Sequence, residues 1–137
     1  MRPLLLIIVV FFFTLTCLSA QSGCPGCIVD VPAGLPDDTL FLAPIPDGTL
    51  GSAYDQDISF RVPKSTTPVN AIDSTTPPGL PISKIEIVGV DGLPAGLFWE
   101  ANQTVFETAT LTDGCIKICA IPLEKFSLYL KLPIFPD

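Results

Sequence analysis

Two closely spaced cysteine pairs are the groups in this chain best suited to chemistry: Cys24-Pro25-Gly26-Cys27, and Cys115 with Cys119. Thiols at such spacings serve as zinc ligands, as a dithiol redox couple, or as halves of disulfides. The zinc spacing is loose, and the second pair falls in a strand pattern. A redox Cys-x-x-Cys needs a thioredoxin-like βαβ setting, which this chain does not offer. Histidine is absent. That removes Ser-His-Asp and Cys-His catalysis and most catalytic zinc arrangements together. No P-loop and no dinucleotide Gly-x-Gly-x-x-Gly occurs. The chain is read as non-enzymatic, with no cofactor, and its cysteines as disulfide partners.

Three other sets invite a site. Asp55 and Asp57 share one strand face and are the weak calcium candidates, with Asp37, Asp38, Asp47 and Asp113 in loops and turns. Calcium takes six to eight oxygens, and no Asp-x-Asp-x-Asp-Gly loop is present, so these acids read first as turn and solvated-edge residues. Trp99, with Phe98 and Tyr129, offers a possible sugar-stacking platform, although aromatics in β-domains more often build the core. Asn102-Gln103-Thr104 fits a glycosylation sequon, relevant only in a eukaryotic host.

The start of the chain sets the compartment. Arg2 supplies a positive residue, residues 4–15 are almost continuously apolar, and Leu18-Ser19-Ala20 precedes Gln21 with small residues. This is the pattern of a secretory signal peptide, cleaved after residue 20. The apolar run is shorter than the ~20 residues of a membrane span, so no transmembrane segment is expected in the mature chain. Lipid anchoring is the alternative, but neither Cys17 nor Cys24 has an aliphatic residue three places before it and a small residue just before it. Cys17 departs with the leader. Export to an oxidising compartment favours disulfides for the four cysteines that remain.

A chain of 137 residues less its leader suits one domain. The formal charge of the whole chain is −7 and becomes one more negative without Arg2, so nucleic acid and anionic lipid are poor partners. Fifteen prolines and ten glycines point to many turns and few helices. Residues 21–38 form a Cys-, Pro- and Gly-rich lead-in, and residues 39–137 the domain proper.

Six or seven short strands are expected. The clearest covers residues 54–62, where Tyr54, Ile58, Phe60 and Val62 alternate with Asp55, Asp57, Ser59 and Arg61. Others cover residues 39–43, 83–90, 97–100, 104–111, 115–121 and 126–132, with turns at residues 45–48, 91–96 and 112–114. Residues 64–81, rich in Thr and Pro, are too long for a hairpin turn. Tyr54, Ile58, Phe60, Ile85, Ile87, Leu97, Trp99, Ile116 and Ile118 are the expected core.

Strand geometry limits the disulfides. Four residues of strand span about 13 Å, beyond the roughly 7 Å reach between bridged Cα atoms. An extended Cys115 and Cys119 therefore cannot bond each other. They share the face opposite Ile116 and Ile118, so the lead-in should cross that face and supply Cys24 and Cys27 to the second pair. Which cysteine meets which stays open.

The runs PIPDGTLGSAYDQDISFRVP, IEIVGVDGLPAGLFWEANQ and DGCIKICAIP, in this order, resemble immunoglobulin-like domains of exported bacterial surface proteins, often those using the type IX secretion route. The matching positions are Pro46, Asp47, Gly48, Gly51 and Tyr54; Val90, Gly92, Leu93, Pro94, Gly96 and Leu97; and Gly114, Cys115, Ile116, Ile118 and Pro122. The glycine of the closing motif is replaced by Ala120-Ile121, and Leu123-Glu124-Lys125-Phe126 stands where Gly-Thr/Ser-Tyr is usual. No sorting tail follows, which leaves open a stand-alone relative, a truncated product or one module of a longer protein. The resemblance implies an all-β, immunoglobulin-like antiparallel β-sandwich, secreted or at the cell surface. The expected work is that of a structural or adhesive binding module whose partner is an extracellular protein or glycan. The competing expectation is a carbohydrate-binding domain or small secreted enzyme.

Overall fold

A computed structural model describes residues 23–24 and 26–125. The leader expected at residues 1–20 and the strand expected at residues 126–132 lie outside the described residues. Among the described residues the strands are β1 (Phe41–Leu42), β2 (Tyr54–Arg61), β3 (Lys84–Glu86), β4 (Leu97–Ala101), β5 (Val105–Glu107) and β6 (Asp113–Ala120). A single helical turn, α1 (Thr67–Asn70), lies between β2 and β3. One sheet has the order β1-β2-β6-β4, and β3 pairs with β5 in a second. All the pairings are antiparallel. The all-β expectation is met at this level.

The longest strands are those with the longest alternation. β2 and β6 pair along their full length, from Tyr54 opposite Ala120 to Arg61 opposite Asp113. This register sets Ile58 directly across from Ile116, and both are buried with Phe60 and Ile118. From the smaller sheet Phe106 is 0% exposed. Its ring meets that of Phe60 edge to face, 5.3 Å between centroids and 70° between planes. Tyr54, Val62, Ile87 and Leu97 complete the buried cluster, with Ile85 and Trp99 half-buried against it. Each such side chain removed from water contributes about 1.5–3 kcal/mol.

Some expected boundaries move. The turn read at residues 112–114 is not a turn through Gly114, because β6 already begins at Asp113. Asp113 faces the Arg61 guanidinium across the register. Gly114 lies where two rings converge: a Cβ there would come within 2.5 Å of Phe60 Cζ and 2.6 Å of Phe106 Cζ. The strands read at residues 83–90 and 104–111 shrink to three residues each. After β5 the Glu107 carbonyl accepts from the Thr110 and Leu111 amides and curls the chain out of the sheet.

The Thr- and Pro-rich connection braces itself. The buried Thr66 hydroxyl donates to the Pro77 carbonyl at 2.5 Å and accepts from the Leu80 amide at 3.0 Å. Asn70 Nδ2 donates to the Thr76 carbonyl at 2.8 Å. Prolines lack the amide a sheet would need, and threonine hydroxyls supply the local bonds instead.

Candidate functional site

Alternation along β6 sends Ile116 and Ile118 into the core and sets Cys115, Lys117 and Cys119 on the opposite face. The lead-in crosses that face. Cys24 bonds Cys119 with Cα atoms 5.6 Å apart, and Cys27 bonds Cys115 with Cα atoms 6.0 Å apart. Both bridges join the lead-in to β6, as the strand geometry requires. Cys24 and Cys27 are not bonded to each other, so there is no Cys-x-x-Cys redox couple. All four sulfurs are spent in these bonds, which leaves none for zinc and no free thiol at Cys24 for a lipid.

Beyond Cys27 the segment follows β2, and every second residue of that strand holds it. The Ile28 amide donates to Asp57 Oδ2 at 3.3 Å, and the Asp30 amide to the Ser59 hydroxyl at 2.8 Å. Arg61 Nη1 donates to the carbonyls of Leu35 and Pro36 at 3.0 and 3.3 Å. Finally Asp38 Oδ1 accepts from the Lys64 and Ser65 amides at 2.8 and 2.9 Å. The face of β2 that carries Asp55, Asp57, Ser59 and Arg61 is thus partly covered: Ser59 is only 3% exposed.

Lys117 lies between the two bridged cysteines. Its ammonium reaches Asp55 at 2.9 Å and Asp57 at 3.3 Å. Hydrogen bonding to Asp55, reinforced by Asp57 against some desolvation, raises its pKa and keeps it charged. The two calcium candidates therefore converge, but on a side-chain cation. Among the described residues no group of three or more acids, cysteines or histidines is placed to hold a metal ion. Asp113 meets Arg61 through two bonds, Nε to Oδ1 at 2.6 Å and Nη2 to Oδ2 at 2.7 Å. The Arg61 hydrogen bonds lower the Asp113 pKa, with burial opposing. Burial raises the Asp38 pKa, but the bonds from Ser65 and the Lys64 and Ser65 amides outweigh it, and the net shift is downward.

Trp99 and Phe98 do not make a common platform. Trp99 alternates with its neighbour along β4, half-buried on the core side, while Phe98 is 53% exposed on the other face. Tyr129 lies outside the described residues. Asn102, just past β4, is exposed, and its Oδ1 accepts the Cys115 amide at 2.9 Å.

Two of the loop segments are fixed by close backbone contacts. The Tyr54 hydroxyl donates to the Pro46 carbonyl at 2.7 Å and closes the loop between them. Gly96 has φ of 90°, and a Cβ there would lie 2.6 Å from the Ile121 carbonyl oxygen. Lys117 and Arg61, which organise the clamped face, were not singled out from sequence. Their readable signal was position: Lys117 shares the cysteine face, and Arg61 shares the face of Asp55 and Asp57. Comparisons with protein-family models, with curated proteins and with solved structures found no match.

Proposed function

We propose that the chain is an exported, non-catalytic binding or spacer module with an immunoglobulin-like β-sandwich, working outside the cell or at its surface. The observation that supports this most is the pair of disulfides tying residues 24–27 to β6. Such bonds form and persist in oxidising compartments. No helix of the described residues is long and apolar enough to cross a membrane. Two sheets sharing one core through Phe60 and Phe106 support the sandwich reading, and the motif resemblance supports its immunoglobulin-like form. The polar groups of the clamped face are engaged with one another, which suits a rigid scaffold better than a reaction centre.

The test is fractionation of cells producing the full chain with its own leader. The processed protein is expected outside the cytoplasm with no thiol open to alkylation. Retention in the cytoplasm with reactive thiols would overturn the reading. Glycan-array binding that disappears in Trp99→Ala would transfer the protein to the carbohydrate-binding class.

A further inference from the structure

We propose that the mature chain begins with a pyroglutamyl ring formed from Gln21. The inference rests on the export reading, since cleavage after Ala20 is what frees the Gln21 α-amine. A glutamine at a free terminus holds its own amine and side-chain amide carbon at the spacing of a five-membered lactam. In the step, the amine nitrogen attacks Cδ, a new N–Cδ bond forms and the Cδ–Nε2 bond breaks. Nε2 leaves as ammonia, taking the proton that the amine gives up. No oxidant, reductant or second substrate enters. An α-amine titrates at about 7.7–8.0, so a usable fraction is neutral and nucleophilic near neutral pH. Neither Ser22 nor Gly23 could close such a ring.

The structure supplies the consequence. Cys24 is 0% exposed and bonded to Cys119, three positions after Gln21. An aminopeptidase starting from an open end would remove Gln21, Ser22 and the exposed Gly23 and then meet that bridge. The lactam closes this remaining opening, because it offers no α-amine to grip. It also removes one positive charge from a chain that is already acidic. The ring and the first disulfide together make the clamped lead-in resistant from its first residue.

The test uses the full chain with its own leader in an exporting host, the exported fraction acidified at harvest and its intact mass measured at once. The expected mass is that of residues 21–137 with two disulfides, less one ammonia. Edman degradation should yield no sequence until pyroglutamyl aminopeptidase is added, and then Ser22 and Gly23. Gln21→Ala should read directly, melt at the same temperature and lose residues to a general aminopeptidase up to Cys24. An exported chain with an open Gln21, or a ring that accumulates only on storage, would overturn the proposal and leave export intact. A chain that keeps residues 1–20, or begins elsewhere, would overturn the cleavage reading and the ring together.

Discussion

Arg61 holds the Asp113 carboxylate in a two-bond fork, at 2.6 and 2.7 Å, between residues that face each other across β2 and β6. The same guanidinium reaches the Leu35 and Pro36 carbonyls. One side chain therefore links the central strand pair to the segment that covers it.

Acid should loosen this link. The carboxyls of Asp113 and Asp38 both titrate below their ordinary value in the folded protein. A depressed folded pKa gives stability above the unfolded value, about 4 for aspartate, that is lost as pH falls through the folded value. The melting temperature should be flat from neutral pH to about 5 and fall below about 4. Asp113→Asn should melt lower at neutral pH and show a shallower acid slope, as read by circular dichroism.

Gly114→Ala should be among the most damaging single-methyl changes. The added carbon meets two ring edges, Phe60 and Phe106, neither of which has room to retreat. Overpacking of this kind costs about 1–3 kcal/mol. Denaturant titration checks it, and trimming one ring with Phe106→Leu in the same chain should recover part of the loss.

Ala120→Gly should stabilise. Among the described residues Ala120 is the non-glycine residue with positive φ, at 111°. Relief of the strain should be worth roughly 1 kcal/mol. Ala101→Gly, in β4 with ordinary backbone geometry, serves as the control and should destabilise.

Removing one bridge with Cys27→Ser and Cys115→Ser should cost about 2–4 kcal/mol. Exchange of the Asp30 amide, which donates to Ser59, should quicken more than that of the β2–β6 ladder. Equal acceleration throughout would show that the lead-in and the sheet unfold as one unit.

Calcium should not stabilise the domain. Lys117 already holds Asp55 and Asp57, so a metal ion would have to displace an ammonium from a site with few further oxygens. Millimolar calcium should leave the melting temperature unchanged, and a rise would show a site formed elsewhere.

The parts legible in the sequence were those where one periodicity ran long enough to be unambiguous. β2 and β6 are eight residues long, most of each alternates, and the alternation through Cys115 and Cys119 also excluded a bond between those two. β3 and β5 have only three residues each, too few to separate a strand from its flanking turns. Phe106 was missed for that reason, although it is among the most buried side chains. Asp113-Gly114 carries the composition of a turn, yet the Arg61 fork and two converging rings hold it extended. Trp99 and Phe98 looked like partners because they are adjacent, and adjacency along a strand is what sends them to opposite faces. The acids at positions 55 and 57 were correctly placed together, but their meaning depended on Lys117, which strand pairing alone brings opposite Asp57.

The central claim is that the lead-in is bolted across β6 in an exported, oxidised protein. Non-reducing peptide mapping of the exported chain tests it most directly. The account predicts peptides joining Cys24 to Cys119 and Cys27 to Cys115. A Cys24–Cys27 link, or four free thiols, would contradict it.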